Sequence, residues 1–135
     1  MDALTFQWLE KLIKENACSG AELSSGILQV IFGSRRLVVQ SSWRLVSNSD
    51  IVVASDSDAE QSETVVVLLN KLIVDRVLLT SPFNDLEIQF AGGAFLQTFA
   101  DSEKHEHWYF TGGPQEMIVA GPGKLWSSFK PLASS

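Results

Sequence analysis

The spacing of apolar positions changes character along the chain. In the first sixteen residues Leu4, Trp8, Leu12 and Ile13 recur every three to four places, the period of one helix face, with Asp2 early and Lys14 late to suit the helix dipole. An amphipathic helix is predicted there. Residues 16–25 are rich in small and polar side chains and read as a loop. From residue 26 the period shortens: "GILQVIFGSRRLVVQSSWRLV" holds two β-rich runs around Gly33-Ser34, a two-residue hairpin signal, and residues 50–54 form a third strand. Residues 55–63, "SDSDAEQSE", have no large apolar side chain and four carboxylates, as a solvated loop or a lead into a helix would. A short helix near residues 68–72 then leads to a strand over 74–79, and Pro82 and Asn84 mark a turn. Two strands follow around Gly92-Gly93, with others at 107–110 and 117–120, and "GPGKLWSSFKP" closes the pattern as turn and tail.

The two halves resemble one another. "LEKLI" at 9–13 returns as "LNKLI" at 69–73, and "LQVIFGSRRLVVQ" returns as "LEIQFAGGAFLQT". Trp43-Arg44-Leu45 matches Trp108-Tyr109-Phe110, and Ile51-Val52-Val53 matches Met117-Ile118-Val119. An internal repeat over 8–54 and 68–120 is the expectation, each half too small to bury its own apolar faces and so packed on the other across a pseudo-twofold axis. The fold class is therefore α+β: a largely antiparallel sandwich or half-barrel built from two helix-hairpin-strand units, with an amino-terminal helix and a short central one. All 135 residues form one domain on this reading, since a chain of that length hides roughly two thirds of its unfolded surface.

Composition narrows the function classes. Apolar residues make up 45% and charged residues 19%, as in globular chains. Sixteen acidic against ten basic residues give a net charge of -6, which argues against nucleic acid, whose binding takes clustered Lys and Arg. Cys18 is the sole cysteine, so no internal disulfide can form, and its expected role is that of a small buried hydrophobe. The amino terminus starts acidic and builds no signal-peptide pattern, and the longest apolar run falls far short of the roughly 20 residues that span a bilayer. A cytoplasmic protein with no membrane contact is expected.

Candidate chemistry centres on "DSEKHEHWYFTGG". His105 and His107 would share one face of a strand, with Glu106 and Trp108 on the other. Two ligands are not a site: structural zinc takes four and catalytic zinc three plus water, and Asp101 or Glu103 could complete a weak site only. The expected reading is a solvated strand entry, with metal binding and a pH-sensitive interface contact as alternatives. No nucleophile elbow or phosphate-cradling loop is present, and "GPGK" at 121–124 reads as a turn. No enzyme activity, metal or cofactor is expected.

What stands out is where the acid lies. Residues 50–75 carry Asp50, Asp56, Asp58, Glu60, Glu63 and Asp75 against Lys71, and residues 101–116 add Asp101, Glu103, Glu106 and Glu116 against Lys104. The charges either serve solubility or form a docking face for a basic protein. The combination of "WRL" at 43–45, "LLNKLIVDRV" at 68–77, "DLEIQFAGGAFLQTF" at 85–99, "EHW" at 106–108 and "AGPG" at 120–123 resembles a family of small bacterial proteins found among the immunity proteins of polymorphic toxin systems, including contact-dependent growth inhibition. In that pattern Glu106 and Trp108 recur and the flanking histidines are incidental. The resemblance implies a cytoplasmic inhibitor that binds the carboxy-terminal domain of a cognate toxin, often a nuclease with a basic cleft, and occludes it. The expected contact residues are Asp56, Asp58, Glu60, Glu63, Glu103 and Glu106, with Trp43 and Trp108 in the core. A non-catalytic ligand-binding or regulatory homodimer is the alternative, and monomer or homodimer stays open.

Overall fold

A computed structural model describes residues 3–24, 27–47, 50–54, 67–80, 85–99, 107–113, 116–121 and 124–127. These residues are mostly antiparallel β in two sheets, with the helix α1 (Ala3–Lys14) and a short helical turn at 67–69. The strands are β1 (Gly20–Ser24), β2 (Ile27–Phe32), β3 (Arg35–Val39), β4 (Ser42–Ser47), β5 (Asp50–Ala54), β6 (Val74–Thr80), β7 (Asp85–Phe90), β8 (Phe95–Phe99), β9 (Trp108–Gly113), β10 (Glu116–Gly121) and β11 (Lys124–Ser127).

Helix α1 forms as its apolar spacing predicts, with Lys11 and Lys14 in its last turn, where the helix dipole favours cations. Its inward stripe is rotated from the expected one. Leu9, Leu12 and Ile13 are buried and Phe6 half-buried, whereas Trp8 stays partly in solvent with the Lys11 ammonium 5.1 Å from its ring. An indole with a cation over its face tolerates that position better than a leucine would.

Half of the expected loop over 16–25 is strand β1. Its alternation is short: Ala21 is buried, Leu23 half-buried, and Glu22 and Ser24 exposed. Small side chains conceal a strand that its neighbour β2 pairs residue for residue, from Gly20 opposite Ile31 to Ser24 opposite Ile27. The second predicted run divides into two strands, β3 and β4, and β11 adds to the predicted set. Both hairpin signals are realised. Gly33, at φ 68°, turns β2 into β3, and Gly92 and Gly93, at φ 100° and 101°, turn β7 into β8. Positive φ there is cheap only for glycine.

The strand order interleaves the chain. One sheet runs β1-β2-β3-β9-β10-β11 and the other β5-β4-β8-β7-β6, so each takes three consecutive strands from one half and the closing strands of the other. Cross-pairing follows the same scheme twice. Val39 faces Trp108 and Leu37 faces Phe110 in the six-stranded sheet; Thr98 faces Trp43 and Leu96 faces Leu45 in the five-stranded one. Continuing outward, Phe110 faces Ile118 and Leu45 faces Val53, so Val53 stands where Ile118 does, one residue from the expected alignment. Just before β1 and β6 the Cys18 amide donates to the Leu72 carbonyl at 2.8 Å, and the Lys71 amide donates to the Cys18 carbonyl at 2.7 Å.

Buried side chains of both sheets, α1 and Leu69 make one apolar cluster. Strand β7 reads half-buried, buried in strict alternation, as one face in and one face out require. Trp43 and Trp108 lie in this core, as expected, and so does Cys18. Among the described residues no helix is long and apolar enough to cross a membrane.

Candidate partner-binding face

The six expected contact residues, Asp56, Asp58, Glu60, Glu63, Glu103 and Glu106, lie outside the described residues, as do Asp101 and His105. What is described is where their segments begin. Strand β5 leaves its sheet at Ala54, opposite Arg44, and β8 leaves at Phe99, opposite Ser42. Because both run antiparallel to β4 between them, they run parallel to each other and exit at the same end. The acidic segment 55–63 and the segment 101–106 are thus rooted two strands apart, about 10 Å at ordinary strand spacing. Asp85 and Thr80 pair at that same end, and a depression of about 130 Å³ there is lined by Thr80, Asp85, Glu87, Gln97 and Phe99 among others.

From this end a polar ladder crosses the outer face of the five-stranded sheet. Arg44, Gln97 and Glu87 stand directly opposite one another on β4, β8 and β7. The Arg44 Nε donates to Gln97 Oε1, Gln97 Nε2 to Glu87 Oε1, and Gln89 Nε2 to Glu87 Oε2, each at 2.6 Å. The Arg44 guanidinium lies 4.8 Å from the centre of the Phe99 ring. Each member of this chain fixes the orientation of the next, so the face presents a preorganised cation at one side and a carboxylate at the other. Sequence reasoning missed it: the four residues sit in three separate runs. Alternation puts each on the polar side of its strand, and only the strand order makes them neighbours.

The histidine question receives a correction. His107 is 2% exposed, not solvated. Its backbone carbonyl accepts from the Gln40 and Ser41 amides at 2.9 and 3.0 Å, and its amide donates to the Ala120 carbonyl at 2.7 Å. These bonds hold the start of β9 between β3 and β10 and draw the imidazole inward with it. Among the described residues no three His, Cys, Asp or Glu side chains gather as metal ligands. The Cys18 thiol donates to the Gly20 carbonyl at 3.2 Å, and burial raises its pKa, which suits a structural thiol rather than a nucleophile. Residues 121 and 124 of "GPGK" pair as the ends of the β10–β11 hairpin, in keeping with a turn.

Compared with family models, curated proteins and solved structures, the chain matches none of them.

Proposed function

We propose that this chain is an immunity protein: a non-catalytic cytoplasmic inhibitor that binds the basic carboxy-terminal domain of a cognate bacterial toxin and covers its active site or substrate surface. The observation that carries this reading is the common exit of β5 and β8, since it roots the two acidic segments at one end of one sheet in a chain of net charge -6. Negative charge gathered on one side attracts a basic protein from a distance and orients its approach. Asp56, Asp58, Glu60, Glu63, Glu103 and Glu106 are the contact residues, and the Arg44-to-Glu87 ladder extends the contact surface along the sheet. The repeated pairing scheme supports an origin by duplication of residues 8–54 and 68–120, giving a two-layered scaffold whose interior is apolar packing.

The test is co-expression. A toxin domain encoded next to this chain should arrest growth alone, be neutralised by the chain, and co-purify with it 1:1. A stable homodimer that neither binds nor neutralises that domain would favour the regulatory-dimer alternative.

A further inference from the structure

The two hairpin tips occupy matching places in the repeated pairing scheme, yet they end differently. At the first, the chain closes the tip itself. The Gly33 amide donates to Ser19 Oγ at 3.2 Å, and a Cβ added at Gly33 would lie 3.2 Å from the Asn16 carboxamide. Arg35, the residue just past the loop, donates from Nη1 to Glu15 Oε2 at 2.5 Å. An arginine and a carboxylate thus close that end.

The second tip lacks the arginine. Ala94 stands just past its loop, its carbonyl accepting from the Phe90 amide as the hairpin closes. A Cβ added at Gly92 or Gly93 would meet nothing within 4 Å. What remains is an open depression of about 350 Å³ lined by Asp75, Gln89, Phe90, Phe95 and the glycines. Asp75 is the residue bulged out of the β6–β7 ladder between Val74 and Arg76, and it is exposed. Among the described residues its side chain makes no ion pair or hydrogen bond. Gln89 spends its Nε2 on Glu87, which leaves its Oε1 as an acceptor. Arg76 is exposed but does not line the depression. The side chains lining this hollow therefore offer the Asp75 carboxylate, the Gln89 amide oxygen and the partly exposed Phe95 ring, and no cation.

We propose that this depression receives an arginine side chain from the protein partner, filling from outside the place that Arg35 closes from within at the first tip. The proposal rests on the partner-binding reading and adds a specific pocket at the end of the five-stranded sheet opposite the acidic segments. A guanidinium suits it better than an ammonium, because its planar fork can engage Asp75 and Gln89 together while it stacks against Phe95.

The full chain, labelled with nitrogen-15, tests this by titration with N-acetyl-arginine amide and with the neutral citrulline analogue. The arginine compound should shift the Asp75, Gly92 and Gly93 amides and the Gln89 side-chain amide, and the citrulline compound should not. Asp75→Asn should weaken binding about tenfold, as expected for loss of one charge-assisted hydrogen bond. Ala94→Arg should fill the pocket from within and abolish binding while leaving the spectrum that of a folded protein. Equal shifts with citrulline, shifts centred elsewhere, or indifference to Asp75→Asn would overturn the pocket. If arginine binds here but no toxin domain does, the partner reading falls and the pocket stands.

Discussion

Trp43 and Trp108 are exposed by no more than 1%, and each sits in one of the two cross-pairings between halves, opposite Thr98 and Val39. Truncation of either leaves a cavity where both halves meet. Trp43→Ala and Trp108→Ala should each cost about 3–5 kcal/mol, read as a lowered urea midpoint, with Trp→Phe costing less. A loss below about 1 kcal/mol would mean that the indole is not packed. Cys18 makes a prediction of a different kind. Burial raises its thiol pKa, partly offset by backbone contacts at Gly20 and Ile31. A raised cysteine pKa means that the fold favours the protonated thiol. That contribution is fully present below the unfolded value of about 8.5 and is lost as pH rises through the folded one. Wild type should therefore lose stability relative to Cys18→Ala in the alkaline range, and the thiol should stay inert to a disulfide reagent until the protein opens. A constant stability difference up to pH 10 would contradict this.

At the scale of elements, neither half owns a complete sheet. Strands β1–β3 need β9, and β6–β8 need β4. Fragments 1–60 and 61–135 should each be unfolded by circular dichroism and should recover β structure when mixed; independent folding of either fragment would refute the interleaving. The elements themselves were largely legible in the sequence. The hairpins announced themselves through Gly33 and Gly92-Gly93, α1 through its spacing, and the match of Trp43-Arg44-Leu45 to Trp108-Tyr109-Phe110 recurs in the cross-pairing. Strand β1 was not legible because Gly20, Ala21 and Ser24 give too little contrast for alternation to register. His107 misled because polarity is a poor guide where backbone bonds to neighbouring strands pull a residue inward. The Arg44-Gln97-Glu87 ladder was illegible for another reason: adjacency across β4, β8 and β7 is a property of strand order, which local pattern does not encode.

At the scale of the whole molecule, the central claim is electrostatic. On the proposed reading, a net charge of -6 with two acidic segments rooted at one end of one sheet gives a directional field, and such fields act chiefly on the rate of encounter. Exposed charges are screened over about 10 Å at 0.1 M salt. The most direct measurement is the association rate constant of this chain with the toxin domain that the proposed function assigns to it, as a function of ionic strength. It should be made for the wild type and for a variant with Asp56, Asp58, Glu60 and Glu63 changed to Asn and Gln. The wild-type rate should fall by about tenfold or more between low and high salt, with the variant slow and nearly flat across the same range. A wild-type rate that does not respond to salt, or a variant as fast and as salt-sensitive as the wild type, would contradict the account.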